Sequence, residues 1–252
     1  MRTLYDDQRN PVRMPAEITR VVSIVPSLTE SIAFTHRSLL VGATDWCTHP
    51  WDLDVTRVRG TKNPDVEQIV RLRPDVVVAN AEENRAADLD ALRAHGIAVW
   101  VTTPATVEES LGSLERMLSA ITGSTPQWLG QAREVWSTPY DGPRRRAVIP
   151  IWRRPWMALG RDTFAGDVLR RLGIDNVFAQ SAQRYPRIDL DALPAYDVVV
   201  LPDEPYAFSP GDGPEAFSQP AICVSGRHLT WYGPSLVQAR AVLADQLSGR
   251  TG

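Results

Sequence analysis

Lysine is almost missing from this chain. Of its 27 basic residues only Lys62 is a lysine, and all the others are arginine. That one compact ammonium, in a Gly-Thr-Lys-Asn turn, points to an anion contact, to a buried point charge, or to mere retention. Cysteine is scarce as well. Cys47 and Cys223 lie far apart and make no disulfide scaffold, which suits a reducing compartment. Long apolar runs are missing: nothing approaches the roughly 18 apolar residues of a membrane span. Residues 1–19 carry Asp6, Asp7 and Glu17 without a signal-peptide run, so the expected location is cytoplasmic. An excess of one charge is missing too. A net charge of -3 and a pI near 5.8 give no field for nucleic acid or an anionic membrane. There is no Walker loop, nucleophile elbow, glycine-rich dinucleotide fingerprint or zinc-protease motif, so any enzymatic reading rests on residue clusters alone. What remains is an ordinary globular composition, 43% apolar and 23% charged over 252 residues, with eight tryptophans.

A β-branched run over residues 20–25 ends at Pro26. Ser27, with Glu30 three residues on, then reads as a helix start with a Ser cap. The alternation recurs: strand-like 39–43, a short strand 58–60, helix 66–72, a buried strand 75–79, helix 85–94 and strand 97–102. Strands apolar on both faces and separated by helices predict a parallel sheet covered on both sides. Val107, Leu111, Leu114, Met117 and Leu118 make a helical stripe over 106–121, and Gly123 closes it. A second helix is expected over 126–136. Pro139, Gly142 and Pro143 break the chain. After them come a strand at 147–151, helix 164–172, a helical turn at 190–193, strands 197–201 and 222–224, and helix 236–247. The predicted fold is α/β, two Rossmann-like lobes with parallel sheets: an N-terminal lobe over 1–105, a helical connection over 106–140 and a C-terminal lobe over 141–252. RPDVVVA at 73–79 and AYDVVVL at 195–201 rhyme, as an internal duplication or simply as two buried strands.

In open parallel sheets ligands bind beyond the carboxyl ends of the strands. The residues expected there are Trp46, Cys47 and His49, then Lys62 and Asn63, then Glu82, Glu83, Asn84 and Arg85. The second lobe adds Trp152, Arg153 and Trp156, then Glu204 and Tyr206, then His228, Trp231 and Tyr232. Lining one edge of both lobes, they predict a cleft that closes on a ligand. Trp46, Trp152, Trp156 and Trp231 are the expected stacking platform, the alternative for each being a core cap. Cys47 and His49 are a thiolate and imidazole pair able to meet one metal if the loop curls, with His228, Glu82 or Glu204 to complete the set. The alternative is a Cys47 that fills the core beside a His49 bonded to backbone. The Glu82 to Arg85 segment opens a helix, as a cap or as a ligand contact.

Several of these segments, in order, resemble a known family. RVVSIVPSLTE at 20–30, NPDVEQIVRLRPDVVV at 63–78 and LRAHGIAV at 92–99, with GRDTFAGDVL at 160–169 and GIDNVF at 173–178, resemble metal-chelate binding proteins built on a helical backbone. That class contains the cobalamin-binding protein of vitamin B12 import and the ferric-siderophore and haem binding proteins. WCTHP at 46–50, GTKNP at 60–64, EENR at 82–85, RPWM at 154–157, PDEPY at 202–206 and WYG at 231–233 resemble its leaderless branch, labelled helical backbone metal receptor. The resemblance implies a class III periplasmic-binding-protein-like fold. It also implies a ligand, a corrinoid first and a siderophore complex or haem second, held between the lobes. An anionic chelate would call on Lys62, Arg85, Arg153 and Arg227, whereas a corrinoid would lean on the aromatics. In the importing relatives a glutamate on each lobe docks on the permease. Glu67 matches the first and Glu215 stands near the second, but a cytoplasmic chain does not meet that face of a transporter. The class joins its lobes by one helix of about 20 residues, roughly 30 Å, whereas 126–136 supplies about half of that.

Two other functions compete on the same residues. One is a cytoplasmic enzyme, with or without a metal, that places Cys47, His49, Glu82, Glu204 and His228 around a small polar substrate. The other is a sensory or scaffold protein that reports ligand to a partner.

Overall fold

The computed structural model describes residues 1–249 and divides into two compact units. The first comprises residues 1–104, 109–130 and 232–234; the second comprises 105–108, 131–231 and 235 onward.

Unit 1 opens on a hairpin that the sequence patterning did not announce, β1 (Arg2–Tyr5) against β2 (Pro11–Met14). Its turn is held by Asp7, whose carboxylate accepts from Thr103 N at 3.0 Å and Ser113 Oγ at 2.5 Å and pairs with Arg116 at 2.6 Å. The elements that follow are β3 (Val21–Ser23), α1 (Pro26–His36), β4 (Leu40–Ala43), β5 (Thr56–Arg57), the hairpin β6 (Arg59–Gly60) and β7 (Asn63–Pro64), α2 (Val66–Leu72), β8 (Val76–Asn80), α3 (Ala86–Ala94), β9 (Val99–Thr102) and α4 (Val107–Thr122). The sheet is parallel, in the order β5-β4-β3-β8-β9. Its strands bury Val22, Val77, Val99 and Val101 against Ile69, Leu89 and Leu92 of the covering helices. Helix α1 starts one residue before the expected Ser cap: Pro26 opens it, because a ring with no N–H and a fixed φ suits the first turn.

Unit 2 receives the chain along α5 (Gln127–Ser137) and continues through β10 (Arg145–Val148), the antiparallel pair β11 (Pro150–Trp152) and β12 (Met157–Ala158), α6 (Phe164–Arg170), β13 (Ile174–Asn176), β14 (Val198–Pro202), β15 (Ala221–Val224), α7 (Gly226–Thr230) and α8 (Leu236–Leu247). Its sheet is also parallel, in the order β13-β10-β14-β15.

The two rhyming segments do the same job. In unit 1, Asp75 accepts from Arg20 N at 2.9 Å and returns its own N–H to Arg20 O at 2.8 Å. In unit 2, Asp197 accepts from Arg146 N at 2.7 Å and returns its N–H to Arg146 O at 2.8 Å.

The helical connection expected over 106–140 is not a body of its own. The apolar stripe of α4 is buried, with Leu114, Met117 and Leu118 fully covered, and from Glu109 this helix belongs to unit 1. The chain passes to unit 2 within α5, between Gly130 and Gln131. The strand expected at 147–151 is likewise two elements, β10 ending at Val148 and β11 starting at Pro150. Proline lacks the ladder donor, which is a physical reason for the interruption.

Candidate functional site

The carboxyl end of each sheet is built from loops whose backbones are tied down by side chains. In unit 1 the loop after β4 is pinned by Arg57, whose guanidinium donates to Thr44 O and Cys47 O at 3.0 Å and to Leu53 O at 3.1 Å. Pinning turns Cys47 inward. Its sulfur is fully buried, accepts from Thr29 Oγ1 at 3.0 Å and lies 3.1 Å from Thr44 Oγ1. Burial pushes the thiol above its ordinary pKa, and the two threonine contacts offset this only in part. His49 is half-buried, with Nδ1 3.1 Å from Thr48 Oγ1. The expected projection of Cys47 and His49 toward one metal is therefore replaced by a Cys47 that fills the core. Among the described residues no three His, Cys, Asp or Glu side chains gather as a metal set.

The same pinning leaves tryptophan outside: Trp46 is 66% and Trp51 90% exposed. Trp46 lies over the β6–β7 hairpin at Gly60. A Cβ there would come 3.3 Å from Trp46 Nε1 and collide with Asn63 Oδ1, so a larger residue would displace these two side chains.

The loop after β8 is shaped by two asparagines. Asn80 Oδ1 accepts from Glu82 N at 2.7 Å and Glu83 N at 3.1 Å. Asn84 Oδ1 accepts from Asn80 N at 2.9 Å, while its Nδ2 donates to Ile24 O at 3.1 Å and Thr61 O at 2.9 Å. Asn84, an expected ligand contact, is thus a buried strut among three loops. Lys62 donates to Glu82 O and joins the hairpin to this loop. Glu82 and Glu83 are half-buried and Asn63 is exposed. Arg85 is exposed and pairs with Asp88 at 2.9 Å. Tyr232 is also internal. Asn80 Nδ2 donates to its hydroxyl at 2.7 Å, and since Thr102 Oγ1 gives its own proton to Ala79 O, the tyrosine donates to Thr102 at 2.8 Å. Burial raises its pKa far above the phenol range. Tyr232 therefore closes the sheet end and does not line a ligand surface.

In unit 2 the loops after β11 and β14 make an aromatic cluster. Trp152 is 43% exposed and sits edge-on to Tyr206 at 5.8 Å. Trp156 stacks on Phe208 at 5.9 Å and meets Phe217 edge-on at 5.3 Å. Arg153 lies 5.3 Å from the Trp156 ring centre and is gripped by Asp212 and Glu215. Tyr206 donates to Asp212 Oδ2 at 2.6 Å. Glu215 also accepts from Gly213 N at 2.7 Å, so its carboxylate is committed internally, whereas Glu67 is exposed and 3.8 Å from Arg71. Phe208, Phe217 and Asp212 belong to the cluster but were not among the expected site residues; the aromatic two places beyond Tyr206 was the available signal.

Trp231 is buried and donates to Glu204 Oε2 at 3.0 Å, with Arg227 5.6 Å from its ring centre. Burial raises the Glu204 pKa; the Trp231 bond and Arg227 oppose that shift and Asp203 adds to it. His228, in the first turn of α7, has Nδ1 2.8 Å from the capping Ser225 Oγ. The five residues of the enzymatic reading thus fall in two separate units, Cys47, His49 and Glu82 in one and Glu204 and His228 in the other.

Comparison with known proteins agrees with this architecture. Residues 21–125 match the family of the periplasmic binding proteins. The vitamin B12-binding protein of Vibrio parahaemolyticus is 23% identical over 185 residues, 70% of this chain and 67% of its own length. The periplasmic vitamin B12 binding protein of Vibrio cholerae superposes with a TM-score of 0.73 at 20% identity, over 94% of this chain and 99% of that one. A Helicobacter pylori protein, CeuE, solved with Ni(II) bound, gives a TM-score of 0.80 at 14% identity over 98% and 88%. The fold is that of the class III periplasmic binding proteins, and the vitamin B12-binding proteins among these likenesses match the cobalamin-type resemblance read from the motifs.

Two predictions follow from the geometry of these loops. Cys47 should alkylate more slowly than Cys223 at neutral pH, since Cys47 is buried while Cys223 is half-exposed and both thiols are raised by burial. Zinc should not change either rate, as followed by mass spectrometry; a fast, zinc-protected Cys47 would restore the metal pair. For Glu204 the folded pKa is raised, so its contribution to stability is fully present below the ordinary carboxylate pKa and is lost as pH rises through the folded value. Glu204→Gln keeps an acceptor for Trp231. Its melting temperature relative to wild type should become more favourable from pH 4 to pH 8, and a pH-independent difference would contradict the buried carboxylate.

Proposed function

We propose that this chain binds a metal-chelate or tetrapyrrole-like ligand at its strand-end loops, a corrinoid first and a siderophore complex or haem second. The observation that carries this reading is the sequence likeness to vitamin B12-binding proteins. The loops supply the chemistry. Trp46, Trp51 and Trp152 expose ring surface beside the strand ends, and such faces suit a large flat ligand. The charges that an anionic chelate would call on are already engaged: Lys62 with the Glu82 carbonyl, Arg85 with Asp88, Arg153 with Asp212 and Glu215, and Arg227 stacked on Trp231. That commitment favours aromatic over ionic recognition, hence the corrinoid. The WCTHP and GTKNP loops support the narrower assignment to the helical backbone metal receptor branch.

The same proposal places the protein in the cytoplasm, supported by its two unpaired cysteines. There Glu67 has no outward permease face to meet, and the role is retention or delivery of the ligand without import. Fractionation of the native host checks this: recovery in the periplasmic or secreted fraction would overturn it.

Absorption titrations with cyanocobalamin, a ferric catecholate chelate and haemin test the ligand class, with saturable binding strongest for the corrinoid. Trp46→Ala and Trp152→Ala should each weaken it by about 1 to 3 kcal/mol if their rings are stacking anchors, with melting temperatures near wild type because both rings are exposed. Binding of none of the three would overturn the reading.

A further inference from the structure

The opposite edge of the unit 2 sheet holds a feature that ligand binding at the strand-end loops does not use. A cavity of about 260 Å³ opens where α5 and α6 end and β10 begins. Its wall is made by Arg144, Arg170 and Arg171 with Trp136, Thr138 and Tyr140, and none of its lining residues is acidic. Part of each guanidinium is spoken for. Arg144 grips Asp175 through Nε and Nη2, and its Nη2 also caps Arg170 O at 3.1 Å. Asp167 takes Arg170 Nη2 at 2.6 Å and Arg171 Nε at 2.7 Å, and Arg171 Nη1 reaches Trp136 O at 3.4 Å. Helix-end capping and ion pairing therefore account for these nitrogens only. Arg144 Nη1, Arg170 Nε and Nη1, and Arg171 Nη2 are left to donate.

Charge points the same way. Arg240 donates to Val135 O and Thr138 O beside the same wall and lies 5.9 Å from the Trp136 ring centre. The three guanidinium groups of the wall share two carboxylates, Asp167 and Asp175, and Arg240 stands beside them, an excess of positive charge around a concavity. Guanidinium forks match the oxygens of a tetrahedral dianion. The volume lies below the roughly 300 to 1,000 Å³ of pockets for drug-sized ligands, so the guest is small.

We propose that this cavity binds a small doubly charged oxyanion of the phosphate class, free or as the terminal group of a phosphomonoester, at a site separate from the corrinoid-type one. The Tyr140 ring, held over Gly173 by the hydroxyl's 2.9 Å bond to Pro143 O, forms a fixed side of it. Gly173, with φ of 82°, leaves the room that this ring occupies.

The test is 31P NMR of inorganic phosphate, and separately of glycerol phosphate, with full-length protein. Thermal melts in phosphate, sulfate and chloride at equal ionic strength accompany it. Saturable line broadening is expected, together with a higher melting temperature in phosphate than in chloride. Whichever phosphate compound broadens more strongly identifies the source. Arg170→Gln, at an exposed side chain whose Asp167 partner keeps Arg171, should weaken the apparent affinity about tenfold, as loss of one charged hydrogen-bonding group does. Arg170→Lys should fall between, and Arg71→Gln in unit 1 should change nothing. Equal stabilisation by chloride, or broadening that survives Arg170→Gln unchanged, would overturn the site. Corrinoid titration of Arg170→Gln should match wild type, so this site and the strand-end site fail separately.

Discussion

An aspartate at the start of a central strand holds the register in each unit, and the rest of the arrangement hangs from that clamp. Asp75 and Asp197 each exchange two hydrogen bonds with a residue at the start of the neighbouring strand, Arg20 just before β3 and Arg146 second in β10. A one-residue slip of a parallel pair would turn every side chain to the other face. With both faces of β8 and β14 buried, such a slip would also misplace the last residue of the strand. The clamp therefore delivers Asn80 to the carboxyl end of one sheet and Pro202 to that of the other.

From there the loops are built by polar side chains that satisfy backbone groups. Asn80 and Asn84 hold the turn after β8, Arg57 holds the loop after β4, and Glu215, accepting from Gly213 N, holds part of the corresponding region of unit 2. Buried backbone donors and acceptors must find partners, and these residues are the partners. The consequence for function is a division of labour. Charged and amide groups near the strand ends serve the scaffold, while the rings of Trp46, Trp51 and Trp152 meet solvent. A surface of that kind binds through area and ring faces, which is what a bulky planar ligand offers.

The enzymatic reading fares differently under the same physics. A reactive thiol needs a polar or cationic setting that favours the thiolate. Cys47 is buried instead against two threonine hydroxyls, where the neutral form is favoured.

Periodicity and composition determined by themselves the α/β class, the two parallel sheets, the buried strands at 75–79 and 197–201 and the helices α2, α3, α6 and α8 to within a few residues. These are set by local signals: apolar runs, caps and glycine stops. The loops that follow each strand could be named for the same reason, since strand ends are local. The direction of each side chain within those loops was decided only by the tertiary structure. Whether Trp46 or Cys47 turned inward depended on Arg57, ten residues further along. Whether Asn84 met a ligand or a backbone carbonyl depended on Ile24 and Thr61, and Tyr232 was claimed by residues 130 and 152 positions away. The N-terminal hairpin escaped sequence reading because its clamp, Asp7, finds its partners at Thr103, Ser113 and Arg116. Burial and hydrogen-bond satisfaction are settled by neighbours in space, and a linear pattern carries no record of which distant group will arrive.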